Sequence, residues 1–254
     1  MSLEIILMGF LVGGLVGMTG VGGASILTPI LVFLGINPAV AIGTDFAYNS
    51  ITKLFGAVQH IRQKTVDFQL VKFLAIGSIP VAILANLLFY YFFSSHYHED
   101  LIVLLLGYVL ILVSVITLVQ FFIRPNSINY WKMKSLKDKR HITIIAGMII
   151  GAIVGITSVG SGSLFALFIL YFYNLKSSEV VGTDITHAFL LVTLVGLLMA
   201  GLGHIDYFLV GNLLCGSIPG AIIGSKLTEK VPSNVLRFII VTVILISGMT
   251  LILK

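Results

Sequence analysis

The residues able to do chemistry in this chain are few, polar and paired. Asp45 and Asp184 close two matching strings, Gly43-Thr44-Asp45 and Gly182-Thr183-Asp184. Lys53 follows Asp45 at a distance that, in a helix, puts it on one stripe with Asn49 and Gly56, so that an ammonium, an amide and bare backbone lie together. Two further strings mix glycine with hydroxyls: Thr19-Gly20-Val21-Gly22-Gly23-Ala24-Ser25 and Thr157-Ser158-Val159-Gly160-Ser161-Gly162-Ser163. Each reads as a break in a helix. Freed backbone N–H groups, serine and threonine hydroxyls and the positive end of the next half-helix together suit an oxyanion. The candidate substrate-binding residues are therefore Thr19, Gly20, Gly22, Gly23, Ser25, Asn49, Lys53, Thr157, Ser158, Gly160, Ser161 and Ser163.

Several of these positions admit two roles. Asp45 and Asp184 either carry a proton coupled to anion movement or cap helices that start after Gly-Thr, with capping the favoured reading. Lys53 either holds substrate or extends its ammonium towards the membrane surface. His187, one turn beyond Asp184, is a proton relay or a satisfied core histidine, the latter favoured. Ser161 with His187 as base would make an intramembrane hydrolase, but Val159-Gly160-Ser161-Gly162 lacks the first glycine of a nucleophile motif, and no catalytic residue is assigned. A carrier of cations or protons built on Asp45 and Asp184 is the other alternative. No metal site and no cofactor are expected; a lone cysteine, Cys215, in apolar surroundings reads as an inert core thiol.

The medium around these residues follows from composition. Hydrophobic residues make up 58% of 254 positions and charged residues only 10%, with a mean hydropathy of +1.11, which places the chain in a bilayer rather than in water. A net charge of +5 suggests nucleic acid in a soluble protein, but here the basic residues sit in short loops beside apolar spans, so no nucleic-acid partner is expected. The aromatic runs Phe89-Tyr90-Tyr91-Phe92-Phe93 and Tyr171-Phe172-Tyr173 fall at span ends, where rings anchor at the headgroup level.

The elements that position the polar residues come in two copies. Gly9, Gly13, Gly17, Thr19, Val21 and Gly22 return 138 positions later as Gly147, Gly151, Gly155, Thr157, Val159 and Gly160. At an offset of 139, Gly43-Thr44-Asp45, Asp67 and Gly77-Ser78-Ile79-Pro80 return as Gly182-Thr183-Asp184, Asp206 and Gly216-Ser217-Ile218-Pro219. Glycines four residues apart read as surfaces for close helix packing. Each copy holds five apolar segments: 3–19, 24–36, 39–60, 68–93 and 101–123, then 142–157, 163–174, 179–202, 207–226 and 234–253. The expected fold is an all-α integral membrane protein with an N-terminal repeat over 1–123, a basic linker over 124–141 and a C-terminal repeat over 142–254. The second segment of each copy is short and leaves open whether it spans or re-enters. If all ten segments cross, which fits the basic residues better than four crossings per copy, nearly all Lys and Arg outside the spans gather on the linker side, which the positive-inside rule makes cytoplasmic, and five crossings per copy invert the second repeat relative to the first.

Paired glycine-rich hairpins, each followed by Gly-Thr-Asp and later by Gly-Ser-Ile-Pro, resemble the sulfite exporter TauE/SafE family over nearly the whole chain. The resemblance includes Ala41-Ile42-Gly43-Thr44-Asp45, Lys53, Gly56, His60 and Val66-Asp67-Phe68, and Val181-Gly182-Thr183-Asp184, His187 and Gly203-His204-Ile205-Asp206-Tyr207. Where many members carry Ser after Gly-Thr, this chain has Asp45 and Asp184. The resemblance implies a multi-pass plasma-membrane transporter, not an enzyme, that exports small sulfur-containing anions such as sulfite, sulfoacetate or organosulfonates. Its expected partners are the anion and the lipid bilayer, and a homodimer is compatible with it.

Overall fold

A cap upstream of the expected one starts the helix that carries Asp45 and Lys53. Asn37 Oδ1 accepts the backbone N–H groups of Ala39 (3.0 Å) and Val40 (3.4 Å), and Pro38 fills the first helical position, where no N–H is needed. The computed structural model describes residues 3–19, 24–94, 99–122, 130–136, 138–227 and 233–253. Among these every regular element is a helix: α1 Leu3–Thr19, α2 Ala24–Phe33, α3 Pro38–Arg62, α4 Phe68–Ser94, α5 Glu99–Phe122, α6 Tyr130–Met133, α7 Arg140–Thr157, α8 Leu164–Phe172, α9 Ser177–Gly201, α10 Tyr207–Leu227 and α11 Ser233–Leu253. Four of them, α4, α5, α7 and α9, contain stretches long and apolar enough to cross a bilayer. The ten residues of α2 and nine of α8 reach only about 15 Å, half a hydrocarbon core.

Packing between helices is set by glycine. The main pairings are α1 with α10, α4 with α7, α3 with α9 and α5 with α11. A Cβ on Gly9 would strike the backbone of Leu213, and one on Gly13 that of Ser217; at the equivalent positions, Gly147 faces Leu74 and Gly151 faces Ser78. Rising numbers on both partners make α1 parallel to α10 and α7 parallel to α4. Gly107 and Gly248 meet each other where α5 and α11 cross, and Gly43 abuts His204 as Gly182 abuts Thr65 where α3 and α9 run antiparallel. With lipid outside, close contact and dispersion rather than water exclusion hold such crossings together, so the spaced glycines do what their spacing predicts. Thr44 and Thr183 add reciprocal ties: Asp206 N donates to Thr44 Oγ1 (3.2 Å) and Asp67 N to Thr183 Oγ1 (3.0 Å).

These contacts define two faces. One gathers the α3–α4 loop, α6 and the starts of α7 and α9; the other gathers the α2–α3 and α9–α10 loops, the start of α5 and the end of α11. The end of α8 belongs to the first face: Lys139 Nζ donates to Phe172 O (3.0 Å), Thr143 bonds Tyr173, and Trp131 packs edge-on to Phe172. Helices α7 and α8 therefore form a hairpin that enters and leaves on the linker face. Among the described side chains, every Lys and Arg except Lys53 lies on that face, with Glu4, Asp100 and Asp206 opposite.

Three expectations need correction. Phe89 and Tyr90 are buried, stacked edge to face, with Tyr90 against His204, because the α4 end packs on the α9–α10 loop rather than on headgroups. Tyr173 is likewise buried in the α7–α8 stalk. Cys215 is exposed, since α10 turns Leu213 and Ser217, not Cys215, towards α1.

Replacing Gly151 with Leu is expected to abolish the α4–α7 crossing, seen as loss of a monodisperse detergent-purified species. Gly211, with open space around its Cα, should accept Ala with a gain of up to about 1 kcal/mol, read as a raised Tm.

Candidate functional site

The interruption between α7 and α8 is built from local hydrogen bonds. Ser158 ends α7 in the left-handed region (φ 62°), its N–H on Val154 O at 2.7 Å, and Gly160 follows at φ 92°, a backbone conformation glycine tolerates. Thr157 Oγ1 donates to Ile153 O (2.8 Å) and accepts from Val159 N (3.3 Å). In an unbroken helix Val159 N would bond Gly155 O; that carbonyl is instead served by Asn86 Nδ2 of α4 at 2.7 Å. The break is thus supported from α4 as well as from within.

From there the chain runs along α3. Ser158 Oγ donates to Asp45 Oδ2, and Lys53 Nζ donates to Ser161 Oγ (2.8 Å) and Ser161 O (3.3 Å). At 1.5 Å rise per residue, Asp45 lies about 10 Å from the start of α3 and Lys53 roughly 13 Å from its end, so the segment returns through the middle of the layer towards the linker face. From α9, Asp184 comes within Coulombic range of Lys53, and His187 Nε2 bonds Ser78 Oγ (2.8 Å) with its ring edge-on to Phe165. Asp45, Lys53 and Asp184 are 0%, 8% and 3% exposed, so three ionisable groups are buried, with each acid acting on the Lys53 ammonium between them. Among the described residues neither carboxylate closes an ion pair with Lys53, and Asp45 Oδ1, Asp184 Oδ1, His187 Nδ1 and Ser163 Oγ have no hydrogen-bond partner.

The structure brings Asp45, Asn49, Lys53, Ser158, Ser161, Ser163, Asp184 and His187 together and changes some of their roles. Asp45 and Asp184 do not cap: α3 starts at Pro38 and α9 at Ser177, so both carboxylates sit two turns inside helices whose N–H groups are already bonded. Lys53 does not extend to the surface, because Ser161 holds its ammonium inside. Asn49 Nδ2 is used by Asp45 O (3.0 Å) and the Thr157 hydroxyl by backbone, so neither has those atoms free for a ligand. His187, committed to Ser78, is not a base for Ser161. Ser25 is buried on α2, where Thr28, three residues on, lies near Asp45 without completing a hydrogen bond. Gly20, Gly22, Gly23 and the side chain of Thr19 lie outside the described residues.

Ser78, Asn86 and Thr28 were not singled out by sequence. Ser78 was visible only as part of the repeated Gly-Ser-Ile-Pro, and nothing local marks Asn86 as the donor to a distant helix end.

A model of the family described as sulfite exporter TauE/SafE matches residues 5–251. The chain belongs to that family. It is 55% identical over 254 residues to the probable membrane transporter protein YjnA of Bacillus subtilis (strain 168), covering 99% of this chain and 100% of that one. The probable membrane transporter protein YdhB of the same organism is 27% identical across 97% of this chain and 98% of its own, and the probable membrane transporter protein MJ0441 of Methanocaldococcus jannaschii is 22% identical across 98% and 94%. No solved structure matches. TauE/SafE proteins are membrane transporters and not enzymes, and the apolar helices here suit a membrane protein.

Asn86→Ala should leave the Gly155 carbonyl unpaired in a dry setting and destabilise the protein by about 1–3 kcal/mol. Thermal unfolding in detergent, compared with wild type, measures it.

Proposed function

We propose that this TauE/SafE protein exports small sulfur-containing anions, such as sulfite, sulfoacetate or other organosulfonates, across the plasma membrane, with the anion held between Lys53 and the 158–163 segment. The carrying observation is the Lys53 ammonium bonded to a serine hydroxyl and a carbonyl instead of to a carboxylate. Such a cation is buried but not neutralised by direct contact, and an oxyanion can replace the Ser161 contacts with stronger, charge-assisted ones. Unpartnered Ser163 Oγ at the start of α8 adds a donor close by. The family description supplies the sulfur chemistry; the geometry supports an anion.

The reading extends to mechanism. The two copies act as inverted repeats that alternate access to a site at mid-depth. Support comes from the reciprocal pairings, in which the approaches of Gly9 to Leu213 and Gly13 to Ser217 between α1 and α10 have counterparts in those of Gly147 to Leu74 and Gly151 to Ser78 between α7 and α4. The linker face is cytoplasmic on this reading, since the described basic residues outside the site are confined to it. A cation or proton carrier on Asp45 and Asp184 is the competing reading, favoured by two carboxylates facing one ammonium; its flux would ignore sulfite and sulfonates.

Purified protein in liposomes, screened with sulfite, sulfoacetate, taurine and thiosulfate, tests both. Lys53→Met is expected to lower anion flux at least tenfold and Ser161→Ala several-fold, while Thr250→Val, on the exposed side of α11, should leave it unchanged. Full flux in Lys53→Met would refute the site.

A further inference from the structure

We infer that Asp184 takes up one proton for each monovalent anion bound at Lys53, so that proton and anion cross together. This rests on the anion site proposed above and adds its coupling ion. The centre holds two carboxyl groups and one ammonium. With both carboxylates ionised it carries a net negative charge before any substrate arrives. In a medium of effective dielectric about 20, an uncompensated negative charge roughly 6 Å from an anion weakens its binding by on the order of a hundredfold. A proton on one carboxyl removes that penalty and leaves Lys53 to face the anion alone.

Geometry selects Asp184 over Asp45. Asp45 Oδ2 receives the Ser158 hydroxyl and so fixes the break to α3. Asp184 Oδ1 has no hydrogen-bond partner among the described residues, and Lys53 is the charge within its reach. The charged group facing Asp184 is Lys53 on α3, with the His60 ring beside Gly182 one half-turn away and His187 on its own helix; Asp45 lies on the other side of Lys53. From α4 comes Ser78, which occupies His187, and from α8 Phe165, neither of them charged. When an anion takes over the Lys53 ammonium, Asp184 loses the one compensating charge that faces it among the described residues. A proton from the entry side then forms the carboxylic O–H and leaves again as the anion departs on the exit side, so charge balances over the cycle with no other reactant.

The repeat shows that this arrangement is not imposed by the scaffold. The positions equivalent to Lys53, His187, Ser158 and Ser161 hold Val192, Tyr48, Gly20 and Gly23. The duplicated frame thus carries a single cation between its two acids.

The test uses wild-type protein in liposomes containing a pH-sensitive dye, with methanesulfonate and thiosulfate, whose charges do not change over the working pH range. An inward proton gradient should accelerate wild-type methanesulfonate uptake several-fold and acidify the lumen at one proton per anion. Asp184→Asn should lose both effects in whatever downhill flux it retains, whereas Thr250→Val should keep both. Wild-type flux without lumen acidification, or an unaltered gradient response in Asp184→Asn, overturns the inference and leaves the anion reading standing. Absence of wild-type flux for every anion overturns both. If Asp184→Asn does not fold, Asp184→Glu should retain proton movement with a shifted pH of half-maximal flux, and an unchanged midpoint counts against the role.

Discussion

A helix interrupted inside hydrocarbon must find partners for backbone groups that neither water nor lipid will satisfy, at several kcal/mol for each one left bare. This chain meets that demand by laying the 158–163 segment against α3 and backing it with α4. Ser158 and Ser161 fasten the segment to Asp45 and Lys53, while Asn86 serves the carbonyl the helix abandons. The site is a by-product of that solution. The same hydroxyls and ammonium that stabilise the break are the groups an anion would engage.

The scaffold has a two-fold logic that the site does not share. The main helix pairings, the glycine approaches at Gly9, Gly13, Gly147 and Gly151 and the two threonine ties have counterparts in the other half, because shape complementarity between two copies is inherited with the copies. Charge placement is free to diverge, since one side chain can change without altering a crossing. Lys53 opposite Val192 and His187 opposite Tyr48 record that divergence. A site with a matched lysine in each half would place two ammonium groups in one dry centre, at a cost that one cation between two acids avoids.

Much of this was legible in the sequence. Apolar runs located the helices to within a few residues, because in a bilayer hydropathy and length are tightly linked. The internal offset of the glycines identified equivalent positions, which the structure places at equivalent crossings, α1 on α10 and α7 on α4. Helix starts were less legible. Gly-Thr-Asp looks like a cap, yet the stronger signal, Asn37-Pro38, lay upstream and wins because Pro38 fits the first turn without losing a bond. The course of α8 was not legible at all: hydropathy is blind to direction, and only the Lys139, Thr143 and Trp131 contacts at its far end reveal that it turns back. Cross-chain donors such as Asn86 stay hidden for the same reason, since their purpose depends on a neighbour distant in sequence.

The pairing of α1 with α10 and of α4 with α7 has a consequence for biogenesis. Helix α1 is synthesised first, but its bare glycine face meets α10 only after most of the chain has left the ribosome. Insertion and assembly are therefore separated in time. The early helices enter the bilayer with their contact surfaces against lipid, and the second copy completes the first as a late-arriving template. Premature release after α5 would leave α1, α3, α4 and α5 without their main partners, which makes the truncated half an incomplete object rather than a smaller transporter.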